Sequence, residues 1–531
     1  MPDQDMKQLV KNSPAGILAK ELSYPENYDD LDFDGEVVLI ELNHFFAHHC
    51  GLPAIIRALR SEKKYRFIPY IPLVSWEATH STLEVVQGFY ECMGIEEEIL
   101  KATPSLAHFE KAKSVVIENL KYFQGEIWNL TDFEYDELPI GVHLVETLLQ
   151  QFKSAEFDQS ISTVAYSVGL IARYLWWKEW LFNNKAKYII ASHNCYEFVL
   201  PQLAAKKIGT DAYVWHDNYL FYSNPTLPLP LASEAMGQSV RKAWAHLSQE
   251  DRKTMMELAN SNLLMRAEGA RVGMLTSDPR FVKPEGLNQK GGRIPKSGKK
   301  VVVIYAHAFS DAPCTLPRSK YGSLCSPLVA TRKLIELISK IEADIYIKTH
   351  PKPFEQDEKA ILTLLSEYPN LNRLSSFLSP LDIKNMGVDL IISGWGSVCY
   401  EAPLIGVPVV CYSSFLEIVK AELLPYIDID NEEIALKRLK SILNGDNHER
   451  FNRDRLISEF AMGNFVSRVD LTCANTDRLE REGDSGRYSV YAFRYWADNL
   501  SNSDFVALVK NMTTFFKGKE CVFSCSLRPP N

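Results

Sequence analysis

Residues 389–410, with the sequence DLIISGWGSVCYEAPLIGVPVV, carry the pattern that decides the fold. An apolar run at residues 389–392 predicts a strand, and the glycines and serines after it predict a turn. Residues 398–404 then predict a short helix, and an apolar run at residues 407–411 predicts another strand. A strand, a helix and a strand in this order indicate a parallel pair, because parallel strands need a crossover connection.

The same alternation continues along the chain and predicts an α/β protein with two parallel sheets. The C-terminal half has predicted strands at residues 301–305 and 344–348 and predicted helices at residues 328–341, 356–367 and 432–443. The N-terminal half has longer helical insertions, with strands predicted at residues 36–42, 65–71, 188–191 and 212–215 and helices at residues 144–152 and 161–180.

A change of composition between the two halves marks a linker. Residues 283–300, KPEGLNQKGGRIPKSGKK, contain four glycines, two prolines and six basic residues against one acidic residue. Aromatic residues within 487–516 predict two helices near the end of the chain. The predicted divisions are an N-terminal domain of residues 1–285, a linker of residues 286–298, a C-terminal domain of residues 299–470 and a helical region of residues 471–531.

The composition narrows the classes of function. The chain has 531 residues with 58 basic and 67 acidic side chains, a formal net charge of −9. This charge excludes a protein that binds nucleic acid or anionic membranes by bulk charge. No apolar stretch is long enough to predict a transmembrane helix or a signal peptide. The ten cysteines are scattered, and we expect reduced thiols in a cytoplasmic protein, with peripheral contact at the inner membrane left open.

The first candidate site lies at residues 345–353, IYIKTHPKP. The predicted strand ends at Lys348, so His350 falls at the carboxyl edge of the sheet on a chain stiffened by Pro351. An imidazole there can hydrogen-bond a phosphate or protonate a leaving phosphate oxygen, while Lys348 and Lys352 supply positive charge. The alternative is a turn that ends the strand, with His350 packed against a neighbouring side chain.

The second candidate site is the turn between the strand and the helix of the opening segment. Gly394 and Gly396 let the backbone approach a ligand closely. Ser393 and Ser397 add hydroxyl donors beside the free N–H groups at the start of the helix, which attract phosphate. One turn further on, Glu401 can accept hydrogen bonds from a ribose diol. The alternative is an ordinary βα turn in which Ser397 caps the helix.

A third group of polar residues follows the predicted strand at residues 301–305. His307, Ser310 and Asp311 would face the same cleft if the sheet is parallel, where they can touch a donor or an acceptor. The alternative is a routine turn, since Asp311 precedes an Ala-Pro pair.

Over residues 299–412 the chain resembles the nucleotide-binding half of GT-B glycosyltransferases. The Lys-x-His-Pro loop and the Gly-x-Gly-Ser-x-x-x-Glu-Ala-x-x-x-Gly-x-Pro segment look most like the capsule and lipopolysaccharide biosynthesis group. That group includes the Kdo transferases and the bacterial sialyltransferases with a His-Pro motif. The resemblance implies two Rossmann-like domains that face a central cleft, with C-terminal helices that pack back across the domains.

The resemblance also implies a role for each matching residue. His350 would contact the donor phosphate, with Ser393 and Ser397 near it, and Glu401 would hold the ribose. Trp395 lies between the two glycines and departs from the family pattern, which leaves the identity of the nucleotide open.

The N-terminal half is matched only by architecture, and its candidate catalytic residues follow its predicted strands. An inverting transfer needs a base that deprotonates the acceptor hydroxyl, and His193, Glu197 and Asp217 are the candidates. The alternative for each is a residue at a strand end that caps the next helix. Three histidines within residues 44–49 lack the spacing of a recognised metal site.

The expected function is transfer of a sugar from a nucleotide-activated donor, CMP-Kdo or a similar CMP-sugar, to a saccharide or glycolipid acceptor in bacterial capsule or lipopolysaccharide assembly. No metal or other cofactor is expected, because His, Lys and helix N–H groups can offset the phosphate charge. Contact with a polysaccharide-assembly complex is left open. The alternatives are a CDP-glycerol or ribitol-phosphate transferase, a nucleotide-sugar 2-epimerase, and a non-catalytic partner that binds a nucleotide sugar.

Overall fold

The computed structural model describes most of both halves of the chain. The described residues are 6–42, 51–72, 80–192, 195–216, 219–222, 244–245, 247–269, 294, 297–306, 308–310, 326–350, 354–394, 396–412, 424–445, 452–462 and 502–518.

In the N-terminal half, the structure describes one sheet and the helices that cover it. The strands are β1 (Phe33–Glu41), β2 (Lys64–Ile71), β3 (Leu100–Lys101), β4 (Ala186–Ala191), β5 (Asp211–His216) and β6 (Tyr219–Tyr222). The helices are α1 (Met6–Lys11), α2 (Pro14–Ser23), α3 (Leu52–Arg60), α4 (His80–Cys92), α5 (Leu106–Glu118), α6 (Ile140–Gln151), α7 (Ile161–Asn183) and α8 (Leu200–Ile208).

The described C-terminal half holds a second sheet. The strands are β7 (Lys300–Tyr305), β8 (Ala343–Lys348), β9 (Leu371–Leu374), β10 (Leu390–Ser393) and β11 (Val409–Cys411). The helices are α9 (Gln249–Ala267), α10 (Pro327–Ser339), α11 (Glu355–Glu367), α12 (Pro380–Asn385), α13 (Val398–Leu404), α14 (Glu432–Asn444), α15 (Arg453–Ala461) and α16 (Asn502–Gly518). Among the helices described, none has both the length and the apolar character that crossing a membrane requires.

The first sheet has the order β3-β2-β1-β4-β5-β6, and its strands are parallel except for the pair of β5 with β6. Successive side chains of a strand point to opposite faces. Val37 and Leu39 accordingly belong to one core cluster, and Val38 and Ile40 belong to another. The sheet is therefore buried on both faces, as expected when helices cover a parallel sheet.

The second sheet has the order β11-β10-β7-β8-β9 and is parallel throughout. Its faces also alternate, with Val302 and Ile304 in one core cluster and Val301 and Val303 in the other. The sequence-based prediction of two parallel-sheet α/β units is confirmed, apart from the antiparallel edge strand β6.

The strand order reverses direction once in each sheet. In the first sheet the chain runs from β1 outward to β2 and β3, and then returns to β4 on the other side of β1. In the second sheet it runs from β7 to β8 and β9, and then returns to β10 on the other side of β7. Ligands of open α/β sheets bind at such a reversal, outside the carboxyl ends of the strands. The two expected ligand sites are therefore the strand ends around β1 and β4 and around β7 and β10.

Helix α9 packs with the C-terminal half although it precedes the predicted linker. Met255, Ala259 and Leu263 share a core cluster with Phe460 of α15, and α9 also contacts α13. Helix α9 lies within the predicted N-terminal domain of residues 1–285, and yet its core contacts are with helices of the second half; the predicted domain bounds stay a prediction. The sequence did not indicate this because a helix has the same apolar periodicity whichever sheet it packs against.

Helix α16 packs on the N-terminal half although it lies near the end of the chain. Phe505, Leu508, Met512 and Phe516 are buried in the core cluster that contains α3. Residues 463–501, which include the first part of the predicted two-helix tail of residues 487–516, lie outside the described residues. The end of the chain thus contributes to the core of the first sheet.

The two halves also meet through the connection between α6 and α7. Gln150 Nε2 donates a hydrogen bond to the Ser310 carbonyl at 2.6 Å. Glu156 forms an ion pair with Arg332 of α10, with an oxygen–nitrogen distance of 2.6 Å. Ala155 is buried in a core cluster of the second sheet. This connection therefore anchors the N-terminal half beside the loop that follows β7.

Candidate functional site

The carboxyl ends of the central strands of the second sheet bring the two sequence motifs together. Ser393 of β10 lies opposite Tyr305 of β7, and Tyr305 lies opposite Lys348 of β8. The segment with His350 therefore leaves the sheet on one side of β7, and the turn with Gly394 leaves it on the other side. The motifs flank the reversal of strand order, where a ligand is expected.

Lys348 lies inside this edge of the sheet. Its side chain is 5% exposed, and its Nζ donates a hydrogen bond to the Ser376 carbonyl at 2.9 Å. The same nitrogen lies 4.9 Å from the centre of the Tyr305 ring, a cation–π geometry. Burial lowers the pKa of Lys348 to about 8, while the nearby Glu401 carboxylate raises it. Lys348 therefore places a positive charge next to the His-Pro motif, but its Nζ is directed at the Ser376 carbonyl and the Tyr305 ring.

Two buried hydroxyl groups next to Lys348 have no hydrogen-bond partner among the described residues: Tyr305 Oη and Thr349 Oγ1. Leaving such a group unpaired costs about 1–3 kcal/mol, so a polar ligand that reaches them is favoured. His350 follows Thr349 directly and is half-buried. Sequence reasoning missed Tyr305 and Thr349. The available signal was a tyrosine that ends the apolar run VVVIY and a threonine between the motif residues Lys348 and His350.

The glycine turn has no described residue, other than its chain neighbours, close to the Cα of Gly396. Gly396 has a φ of +124°, a conformation that favours glycine, and a Cβ placed on it would meet no atom of the described residues within 4 Å. Gly394 and Ser393 are buried, and Ser397 is exposed. The turn therefore offers Gly396 and Ser397 to a ligand, while Ser393 lies within the sheet edge.

Glu401 lies in the first turn of α13 and is 7% exposed. Burial raises the pKa of Glu401 above its ordinary value, although a hydrogen bond from the Ser397 side chain and the charges of Arg266 and Lys348 act in the opposite direction. A buried carboxylate needs such partners to stay ionised. The position of Glu401 therefore suits a group that accepts hydrogen bonds from a ligand diol.

Ser310 has protein partners in the structure. Its N–H and its hydroxyl both donate to Asp357 Oδ1, at 3.0 and 2.9 Å, and the side chain is fully buried. Asp357 lies in the first turn of α11. These bonds fasten the loop after β7 to α11, so the Ser310 hydroxyl is engaged within the protein, and its contact with a donor stays a prediction. His307, Asp311, Pro351 and Trp395 lie outside the described residues.

Of the three predicted base candidates, Glu197 belongs to the described residues, whereas His193 and Asp217 lie outside the described residues. It lies in a 3-10 turn, Tyr196–Val199, shortly after β4, and is 3% exposed. Glu197 forms an ion pair with Arg173 of α7. Burial raises the pKa of Glu197 to about 7, and Arg173 lowers it. A carboxylate with a pKa near neutrality is suited to general base catalysis.

A second buried carboxylate, which sequence reasoning missed, lies at the reversal of the first sheet. Glu41 ends β1 and accepts hydrogen bonds from the Ser192 hydroxyl and from the Ser192 N–H, the latter at 2.7 Å. Burial raises its pKa to about 7. The buried Tyr70 hydroxyl, which lacks a partner in the described part of the chain, is close enough for Glu41 to raise its pKa. The sequence signal that could have identified Glu41 is an acidic residue within the apolar run VVLIEL.

Within the described ranges, no three His, Cys, Asp or Glu side chains gather in a way that could hold a metal ion. The histidines at residues 44–49 lie outside those ranges.

The chain is similar to solved structures of enzymes that bind nucleotide sugars or transfer sugars. The UDP-GlcNAc 2-epimerase of Methanocaldococcus jannaschii is 13% identical, with 80% of this chain and 97% of that chain covered and a TM-score of 0.26. The β-Kdo 2,4-transferase KpsC of Thermosulfurimonas dismutans is 13% identical over 52% of this chain and 79% of that chain, with a TM-score of 0.31. The calicheamicin glycosyltransferase CalG4 is 12% identical over 85% of this chain and 98% of that chain, with a TM-score of 0.28.

No protein-family model matches the chain, and no curated protein matches it.

Proposed function

We propose that the chain is a glycosyltransferase of the GT-B type that takes its sugar from a nucleotide-activated donor. The observation that carries the proposal is the meeting of the His-Pro segment and the glycine turn on the two sides of β7, at the reversal of strand order. The resemblance to GT-B glycosyltransferases implies that both motifs bind a nucleotide sugar. Their common position is where an open α/β sheet binds its ligand.

The donor nucleotide would lie against His350, Gly396 and Glu401. The Glu401 carboxylate accepts hydrogen bonds from the ribose diol, and Gly396 lets the backbone approach the phosphate. His350 donates to the departing phosphate oxygen, and the buried ammonium of Lys348 adds positive charge behind it. The resemblance to the capsule and lipopolysaccharide group favours a CMP-sugar, with CMP-Kdo as the first donor to test.

The acceptor would be activated from the first sheet. Glu197, with its pKa of about 7, takes the proton from the acceptor hydroxyl as that oxygen bonds to the anomeric carbon. The bond between the anomeric carbon and the nucleotide phosphate oxygen breaks, and the electron pair leaves with the phosphate. The products are the glycosylated acceptor and the free nucleotide.

The proposal is tested by incubating the protein with CMP-Kdo, UDP-GlcNAc and CDP-glycerol in turn, with and without a saccharide acceptor. Release of CMP together with a new glycosidic bond is the expected result. Conversion of UDP-GlcNAc to its 2-epimer without an acceptor would identify an epimerase. Phosphate transfer from CDP-glycerol would identify a phosphotransferase. Binding without turnover of any donor would identify a non-catalytic binding protein, and each of these three results would overturn the proposal.

His350→Ala should lower turnover about a hundredfold, the size expected when acid or electrostatic help is lost. The matched control is His108→Ala, because His108 lies on α5, which packs with α7 in the other half of the chain. An unchanged rate in His350→Ala would remove the His-Pro segment from the site.

A further inference from the structure

Two buried hydroxyl groups lie at the carboxyl ends of β7 and β8, and neither has a hydrogen-bond partner in the part of the chain that the structure describes: Tyr305 Oη and Thr349 Oγ1. Tyr305 is the last residue of β7, and Thr349 directly follows the last residue of β8. The two strands pair in register, with Tyr305 opposite Lys348. Both hydroxyls therefore belong to the row of strand ends where the donor is proposed to bind.

An unpaired hydroxyl in such a place makes the ligand-free protein less stable. Folding takes the group out of water, and no described protein group replaces the hydrogen bond that is lost. Other buried hydroxyls of the chain are paired. Thr331 Oγ1 donates to the Pro327 carbonyl at 2.7 Å, and Tyr174 Oη donates to Asp136 Oδ2 at 2.8 Å. Groups that cost stability concentrate at functional sites, which points to a ligand as the missing partner.

Thr349 lies on the phosphate side of the proposed donor site. It is 4% exposed and directly precedes His350, whose imidazole is proposed to contact the donor phosphate. The Ala306 N–H donates to the Lys348 carbonyl at 2.9 Å, so the pairing of the two strands continues up to Thr349. A threonine hydroxyl can donate to a phosphate oxygen, and a hydrogen bond to an ionised acceptor is stronger than a neutral one.

Tyr305 lies on the ribose side of the same site. Its ring packs in the core cluster that contains Val398 of α13, the helix that carries Glu401. On this face Lys348 Nζ lies 4.9 Å from the centre of the Tyr305 ring, but that nitrogen donates to a backbone carbonyl and not to the tyrosine hydroxyl. A phenol can donate to a ribose hydroxyl or accept from one.

We propose that Thr349 and Tyr305 are binding residues of the donor site, whose hydroxyls are unpaired in the ligand-free protein and pair with the nucleotide when it binds. Thr349 donates to a phosphate oxygen, and Tyr305 pairs with a ribose hydroxyl. This inference rests on the proposed function, in which His350 contacts the phosphate and Glu401 holds the ribose.

The first test measures the affinity of the full chain for CMP and for cytidine by calorimetry. Thr349→Val should weaken CMP binding about fivefold, the effect of one ordinary hydrogen bond, and leave cytidine binding unchanged because cytidine has no phosphate. Tyr305→Phe should weaken the binding of CMP and cytidine about fivefold each, because both carry the ribose.

The second test measures the melting temperature without any ligand. Thr349→Val and Tyr305→Phe should each raise it, because each removes a buried hydroxyl that has no partner. The matched controls are Thr331→Val and Tyr174→Phe, which remove paired hydroxyls. Each control should lower the melting temperature and leave CMP affinity unchanged.

A lower melting temperature in Thr349→Val and Tyr305→Phe, with CMP affinity unchanged, would overturn the inference. The hydroxyls would then be paired within the ligand-free protein, as happens when a buried water bridges polar groups. Equal weakening of CMP and cytidine binding in Thr349→Val would overturn the assignment of Thr349 to the phosphate. A wild-type protein that binds neither CMP nor cytidine, while both variants melt at a higher temperature, would contradict the proposed function alone.

Discussion

At the scale of single residues, burial sets the charge of Lys348. Its pKa is lowered to about 8 from the ordinary 10.5. Between these values the unfolded chain binds a proton that the folded protein does not, so the Lys348 contribution makes the free energy of unfolding rise with pH. We predict that Lys348→Met removes this part of the rise, as measured by urea unfolding at a series of pH values from about 7 to about 10. A rise of wild-type size in the variant would show that Lys348 is not the group responsible.

The Glu197 carboxylate gives the proposed reaction its pH dependence. Only the ionised form acts as a base, so turnover should increase as the pH rises through about 7, the pKa of Glu197. Because Arg173 lowers this pKa, Arg173→Met should move the increase to higher pH. Glu197→Gln should lower turnover by about 10²–10⁴.

The control for this prediction is Glu41→Gln, because burial gives Glu41 a similar pKa of about 7. The pH–rate profile of Glu41→Gln should keep its rise. A profile that loses the rise in Glu41→Gln and keeps it in Glu197→Gln would assign the base to Glu41 instead.

Individual residues also show how far a sequence can predict a site. The glycine turn and Glu401 could be placed from a local pattern, because a turn and the helix after it are set by neighbours in the chain. The burial of Lys348 could not, since it depends on Ser376 and Tyr305, which other strands bring near. The hydrogen-bond partner of Ser310 is Asp357, which lies 47 positions away in the sequence. No local sequence pattern predicts such a pair.

At the scale of elements, α16 has one buried face and one exposed face, and substitutions on the two faces should differ in their effect on stability. Leu508 is 4% exposed in the core of the first sheet, and Val506 is 61% exposed on the same helix. Leu508→Ala should lower the free energy of unfolding by about 2–5 kcal/mol, because it leaves a cavity. Val506→Ala should change it by less than about 0.5 kcal/mol, as is usual for surface positions. Chemical denaturation measures both, and equal effects would mean that α16 does not pack as the structure describes.

The elements that the sequence predicted are those with continuous apolar runs. Helix α13 begins and ends where the pattern placed it, and β8 differs from its predicted bounds by one residue. Strand β9 was missed because in LNRL only the first and last residues are buried. Strand β3 has two residues, too few for any periodic signal.

At the scale of the whole molecule, the chain crosses between its halves more often than a linker alone would suggest. Helix α9 packs on the second half, α16 packs on the first, and the last turn of α6 contacts the loop after β7. These crossings involve residues far apart in the sequence, which is why composition alone does not show which half α9 packs with. They also place Gln150, in the last turn of α6, beside the loop that follows β7.

The central claim is that a nucleotide binds at the strand ends around β7 and β10, and a crystal structure with CMP bound tests it most directly. The account predicts the phosphate against His350 and Gly396 and the ribose hydroxyls within hydrogen-bond distance of Glu401. A nucleotide bound elsewhere, or none bound at a saturating concentration of CMP or UDP, would contradict it.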